Sequence, residues 1–173
     1  MVCESFGAMP SYRRARVSGG TFFPTVTLRE RGSDLLLREV GALRAAFRAA
    51  RRARPFAIEA AVVLPDHLHP VMRLPGGDGD FSTRIGHVKA AFARAVPEAA
   101  PGFAGRPGKG ERGVWQRRFW EHAIRDDADF AAHVRYCWIK PVKHGLVARA
   151  TDWPWSSVHR DAPGWDGGVH PAV

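Results

Sequence analysis

Two histidines one residue apart, His67 and His69, close the run Pro65-Asp66-His67-Leu68-His69. On an extended strand, positions i and i+2 point to the same face, so two neutral imidazoles there can share one cation. The same pair on a solvent face is simply polar surface. A cation beside nucleic acid can polarise a scissile phosphate, but cleavage still needs a nucleophile. The chain has two tyrosines, Tyr12 and Tyr136, and Tyr136 sits in HVRYCWIKPVKHG. On a helix it would serve either as core packing, with its hydroxyl satisfied, or as that nucleophile.

Other enzymes built on a His-x-His pair fit less well. A histidine-triad hydrolase needs a third His two residues on, where Val71 stands. Phosphoesterases of the two-His-x-Thr kind need a Thr after each His, and neither copy exists. With only Cys3 and Cys137 in the chain, a zinc finger and a disulfide framework are both excluded.

The elements that must position these groups follow from periodicity. Residues 1–20 read as a polar arm ending in Ser18-Gly19-Gly20, before a strand over Thr21 to Leu28 (TFFPTVTL). Pro24 lacks a ladder donor, which predicts an edge, a bulge or an exposed N–H position there. Leu35, Leu36, Val40, Leu43, Phe47 and Ala50 recur at helical spacing, predicting a helix from Ser33 to Arg52 with Ser33 and Asp34 as caps. Its arginines lie off the apolar stripe.

Phe56 to Leu64 reads as a buried strand, and after Pro65-Asp66 the chain returns as a second strand from His67 to Leu74. A helix over Phe81 to Val96 precedes a Gly/Pro-rich basic loop from Pro97 to Gly113. Val114 to Ile124 (VWQRRFWEHAI) alternates as a strand would, and Asp126 to Ile139 opens a third helix that Pro141 ends or bends. Beyond Thr151 the chain reads as an extended tail packed by its tryptophans. The order β-α-β-β-α-β-α predicts an α+β fold of the ferredoxin-like, split βαβ kind: an antiparallel sheet with helices mainly on one face and the C-terminal tail packed on it.

Lys and Arg number 26 against 17 Asp and Glu, a net charge of +9. That excess suits a polyanionic partner, since each cation set on a phosphate releases a counterion. A solvated basic surface gives the same count. No signal-like apolar core opens the chain and no run of about 18 apolar residues occurs, so a reducing cytoplasm is the expected location and no membrane span is expected.

Tyr12-Arg13-Arg14, the stretch from Phe56 ending VVLPDHLH, VWQRRFWEH from Val114 to His122, Tyr136 through Pro141-Val142-Lys143-His144-Gly145-Leu146, and Asp152-Trp153-Pro154 together resemble the REP-associated tyrosine transposases, a branch of the single-tyrosine HUH transposases of the IS200-like kind. The similarity runs from about Tyr12 to Arg160 in family order. It implies that residues 21–150 form the transposase domain, flanked by the arm of residues 1–20 and the tail of residues 151–173. It also implies that His67 and His69 bind Mg2+ or Mn2+ and that Tyr136 attacks a phosphate of single-stranded hairpin DNA. The attack leaves a free 3′-hydroxyl and a 5′-phosphotyrosine. The family's third ligand is an Asn four residues after the tyrosine, a position that Lys140 occupies in this chain. Phe23-Pro24-Thr25-Val26-Thr27 replaces a usual Phe-Thr-Val-Asn, and Pro70 stands where Cys is common. A protonated lysine does not coordinate, so a second reading is a catalytically weak DNA- or RNA-binding protein on the same scaffold. Arg13, Arg14, Arg117, Arg118, Lys143 and His144 match basic family positions that would hold phosphates. Trp115, Phe119 and Trp120 would stack unpaired bases or pack the core. Glu121 and His122 either order a ligand or water or serve structure. A monomer is expected rather than a homodimer.

Overall fold

The computed structural model describes residues 16–96 and 113–165. Four strands form one sheet: β1 (Thr21–Thr27), β2 (Ala57–Val63), β3 (His67–Arg73) and β4 (Trp120–Ala123), in the order β2-β3-β1-β4 with every neighbour antiparallel. The helices are α1 (Leu35–Arg38), α2 (Val40–Ala53), α3 (Phe81–Ala95), α4 (Asp127–Lys143) and the short α5 (Val158–Asp161), with a 3-10 turn at Ala150–Asp152. This is the expected α+β fold.

Because successive strand residues point to opposite faces, adjacent phenylalanines of β1 enter different cores. Phe22, with Val26, Leu68 and Met72, packs against Leu43, Ala46 and Ala50 of α2 and Ile85, Val88 and Phe92 of α3. Phe23, with Ala60, Val62 and Val71, packs against Cys137 and Trp138 of α4 and against Trp153, Val158 and Trp165 of the tail. The expectation of helices mainly on one face describes α2 and α3. Helix α4 covers the other face, and that is the face onto which His67 and His69 point.

Several boundaries depart from the periodicity. The predicted Ser33–Arg52 helix is divided at Glu39 into α1 and α2. The cap position is Asp34, whose side chain makes no capping bond and accepts from Arg38 Nε at 2.8 Å, and the Leu35 amide donates to Ser33 Oγ from one residue before the cap. Strand β1 lies inside the sheet, so Pro24 is not at an edge. Its pairing with β3 runs Thr21↔Arg73 and Phe22↔Met72, then resumes at Val26↔Leu68. Pro24 falls in that interval, opposite Pro70 by the register on either side, so that neither residue has an N–H to give the β1–β3 ladder there, while on its other side Pro24 faces Glu121 of β4.

The predicted strand from Val114 contracts to β4, since Trp115 makes only an isolated bridge to Leu28 and residues 117–119 pair with nothing in the sheet. Pro141 does not end α4, which continues to Lys143 and stops at Gly145 in a left-handed conformation (φ 67°). Glycine takes that conformation without a side-chain clash. The tail closes the exposed edge of β2: Val63 N–H donates to Trp155 O at 2.9 Å, Ser157 N–H to Ala61 O at 2.8 Å, and Trp153 Nε1 to Val63 O at 2.9 Å. Edge strands left bare are prone to pair with other chains. Among the described residues, no helix is long and apolar enough to cross a membrane.

Candidate functional site

Strand β3 begins at the tight turn through Pro65 and Asp66, and its period of two aims His67 and His69 at α4 while Leu68 enters the opposite core. Both histidines are buried, as is Asp66. The Asp66 carboxylate accepts His67 Nδ1 at 2.6 Å and the Gly32 N–H at 3.0 Å, and it pairs with Arg31 Nε at 3.1 Å. Burial pushes the Asp66 pKa up. The His67 and Gly32 hydrogen bonds, with the charges of His67 and Arg31, outweigh it and leave the carboxyl below the usual range. With Nδ1–H given to Asp66, the lone pair of His67 lies on Nε2.

His69 is set in the same way by a different partner. Its Nδ1 lies 3.1 Å from Thr25 Oγ1, and its Nε2 is buried with no hydrogen-bond partner. Burial first, then the positive neighbours His67, Lys140 and His144, pulls its pKa down to about 3. Burial also lowers His67, against the raising effect of Asp66. Both rings are therefore neutral near pH 7, the form that ligates a cation.

Helix α4 supplies the other half. The Tyr136 ring stands edge-on to His69, 5.3 Å between centroids, and both rest on Phe23, which stacks on His69 at 5.3 Å and meets Tyr136 at 5.5 Å. One turn on, Lys140 Nζ donates to the Tyr136 hydroxyl at 2.5 Å, the reach expected of residues four apart on a helix. Lys143 Nζ lies 6.0 Å from the Tyr136 ring, and the His144 ring lies 5.2 Å from that of His67. The fold thus brings His67, His69, Tyr136, Lys140, Lys143 and His144 to one place.

A buried imidazole nitrogen without a partner, beside a second imidazole aimed by a carboxylate, is a donor pair that suits a divalent cation. Lys140 offers no lone pair for a third bond. The arrangement joins two neutral nitrogen donors, a hydroxyl and a cationic donor.

The remaining predicted residues are dispersed. Arg117 and Arg118 are exposed on the segment before β4. Trp120 is 56% exposed, with its ring stacked over His122 at 6.2 Å. Trp115 stands in the core: its indole N–H donates to Lys89 O at 3.0 Å and its ring packs on Phe92. No face of it is left for a base. Phe119 packs against the Phe81 side of the core. Arg13 and Arg14 lie outside the described residues. Sequence reasoning missed the roles of Asp66 and Thr25. The signal for Asp66 was present, since a carboxylate immediately before a candidate ligand histidine is placed to orient it. His122 proves to be bonded, its Nε2 lying 2.7 Å from Asp129 Oδ2.

An antiparallel sheet that sets two histidines against a helix-borne tyrosine defines the class: an α+β domain with an imidazole pair facing a tyrosine across one sheet face. The REP-associated tyrosine transposase of Escherichia coli (strain K12) is 46% identical over 153 residues, covering 88% of this chain and 85% of that protein. A Haemophilus influenzae relative whose description carries the same family name is 42% identical over 154 residues, 88% of each. A solved REP-associated tyrosine transposase, bound to a REP hairpin, superposes with a TM-score of 0.80 at 42% identity, covering 95% of this chain and 94% of that one. No protein-family model matches. The chain belongs to the REP-associated tyrosine transposase family.

Proposed function

We propose that this protein cleaves and rejoins single-stranded DNA at palindromic hairpins through a 5′-phosphotyrosine on Tyr136. The observation that carries this is the contact of Tyr136 with His69 on the face where β3 also presents His67. The relative solved with a REP hairpin supports the choice of substrate.

In this reading Tyr136 Oη attacks phosphorus, the bond from phosphorus to the 3′-oxygen breaks, and that oxygen leaves as a 3′-hydroxyl after taking up a proton. The phenol proton passes to solvent. Rejoining is the reverse: a 3′-hydroxyl attacks the phosphotyrosine and the tyrosine regains its proton. One phosphoester is exchanged for another, so no ATP is consumed. His67 and His69 are the residues that would hold Mg2+ or Mn2+, which when bound supplies charge stabilisation at the phosphate. Phe23 fixes the Tyr136 ring from below, and Lys140 fixes the direction of its hydroxyl and adds positive charge where the phosphate's negative oxygens would lie. Lys143, His144, Arg117 and Arg118 hold neighbouring phosphates, and the open face of Trp120 takes an unpaired base. Residues 21–150 act as the transposase domain, flanked by the arm of residues 1–20 and the tail of residues 151–173, as a monomer in the cytoplasm.

The test incubates labelled hairpin DNA with Mn2+ and resolves covalent adducts on a denaturing gel. The wild type forms an adduct that Tyr136→Phe lacks; an adduct of equal yield in Tyr136→Phe would sink the assignment. Lys140 favours a second reading, a nucleic-acid-binding protein with little catalysis, because its ammonium both occupies the Tyr136 hydroxyl and opposes a cation on the imidazoles. Tight hairpin binding with no adduct in either Mg2+ or Mn2+ would select it.

A further inference from the structure

A second group of metal-ligating side chains stands beside the first. His122 of β4 places Nε2 2.7 Å from Asp129 Oδ2, and His133 of α4 places Nδ1 3.1 Å from Asp129 Oδ1. One donor atom from each of the three lies within 4.8 Å of the others. The two imidazoles stack with centroids 4.6 Å apart and planes 15° apart. Phe23 separates the two groups: its ring lies 4.7 Å from that of His133 and 5.3 Å from that of His69.

We propose that His122, Asp129 and His133 form a second divalent-cation site, of the class that binds Zn2+, Co2+ or Ni2+, which ties the start of α4 to β4. Two imidazole nitrogens and one carboxylate oxygen make a three-ligand set that leaves a fourth position for water or an incoming group. Imidazole donors favour these metals over Mg2+ and Ca2+, which take mostly oxygen. Metal–ligand bonds of about 2.1 Å at a tetrahedral angle put ligand atoms roughly 3.4 Å apart, against present contacts of 2.7 Å and 3.1 Å from the imidazoles to the two Asp129 oxygens. The stacked rings must tilt so that their in-plane lone pairs meet at one ion.

The surroundings fit an ion that enters from solvent and is held from below. The side chain of Asp129 is 9% exposed, while those of His122 and His133 are 26% and 20% exposed. Asp129 is fixed by its place in the first turn of α4, where its N–H donates to Asp126 Oδ1 at 2.8 Å and its carboxylate accepts the Arg125 N–H at 3.0 Å. The hydrogen bond from His122 holds the Asp129 carboxyl far below the usual carboxylate range, so it keeps its charge. On binding, His122 turns a lone pair to the ion in place of its N–H to the carboxylate. His133 gives up its 2.8 Å contact to Asp129 O. Arg125 Nε, 3.3 Å from Asp129 Oδ2 on a side chain 76% exposed, moves to water. His133 lies one helical turn before Tyr136, so an ion here would limit how far the tyrosine's helix can shift against the sheet. None of this depends on the assignment of Tyr136 as nucleophile.

The experiment titrates Co2+ into the chelator-stripped full chain and reads stoichiometry by calorimetry and ligand-field absorption. Variant His67→Ala/His69→Ala isolates the second site. It is expected to bind one Co2+ with a visible band of low-coordinate geometry, and Zn2+ is expected to displace that Co2+ and raise the Tm by about 5 °C at saturating concentration. Adding His122→Ala to that background should weaken binding at least about 10-fold. Asp129→Asn, which keeps the shape of the side chain and one acceptor oxygen but removes the charge, should do the same with an unchanged circular dichroism spectrum. The proposal is overturned if the His67→Ala/His69→Ala protein binds no Co2+, or if its Co2+ is indifferent to Asp129→Asn: the three residues would then be a hydrogen-bonded clamp between β4 and α4. Failure of hairpin cleavage alters neither readout.

Discussion

Replacing Lys140 with asparagine would put a neutral amide oxygen where an ammonium now donates to the Tyr136 hydroxyl. The change removes a like charge from the neighbourhood of any cation on His67 and His69 and adds an oxygen donor one helical turn from the tyrosine. Lys140→Asn should tighten Mn2+ binding about tenfold by calorimetry, a typical size for one added or lost supporting group, and raise the rate of adduct formation. An unchanged affinity would mean that this position does not face the ion. The histidine pair was legible in the sequence because its spacing carries direction, two residues on a strand returning to one face, whereas Tyr136 was singled out only by the family resemblance. Asp66 carried a signal in its place just before His67, but the groups that aim it were not legible, nor was the role of Thr25. The aim of Asp66 depends on the Gly32 amide and the Arg31 guanidinium, which arrive from a segment more than 30 residues away, and Thr25 meets His69 only through the β1–β3 pairing.

At the scale of elements, apolar periodicity located every long helix and β1, β2 and β3, and it failed where a partner decides the outcome. Alternation extended β4 back to Val114, yet a strand needs a neighbour with free ladder groups, and β1 offers pairs only from Thr25 to Phe22. Pro141 suggested a stop, but near a helix end the lost hydrogen bond is tolerated and Gly145 sets the terminus. Helix α3 also buries a charge that periodicity would place outside. Arg84 is 1% exposed; its guanidinium donates to Pro55 O, Asp80 O and Asp78 Oδ2. Arg84→Met leaves those acceptors unpaired and should cost about 3 kcal/mol in a denaturant titration. The Arg84 hydrogen bond, followed by the Asp80 amide, brings the Asp78 pKa down from 3.8 to about 2. Between those values the unfolded chain binds the proton and the folded chain does not, so this contribution is complete above about pH 4 and falls away as pH drops through 2. Asp78→Asn should flatten the dependence of stability on pH across that window. An identical slope in the variant would show that other carboxylates govern acid unfolding.

For the whole molecule, the order of elements was enough to name the sheet, and the side on which α4 lies was not. A helix following an edge strand can fold over either face, and the choice rests on contacts such as Trp138 Nε1 with Ser157 Oγ and Cys137 Sγ with His69 O that join distant segments. The net charge of +9 was legible, but not which basic groups remain free for a polyanion once the chain folds. Arg117 and Arg118 are exposed beside Trp120, and the two residue types make separable contributions to single-strand binding. A guanidinium on a phosphate acts by counterion release, so Arg117→Ala and Arg118→Ala should each reduce the slope of log K against log salt by about 0.7. A stacked indole displaces no counterion. Trp120→Ala should therefore weaken binding by about 1–3 kcal/mol at every salt concentration and leave the slope as it was. Trp120 already faces solvent, so its loss should leave the Tm within a degree or two of the wild type. Fluorescence anisotropy with a labelled hairpin carrying an unpaired flank, measured over a range of NaCl concentrations, separates the two effects. A Trp120→Ala protein that binds as tightly as the wild type would move the base-contacting surface away from β4, and parallel salt lines for the arginine variants would move the phosphate path with it.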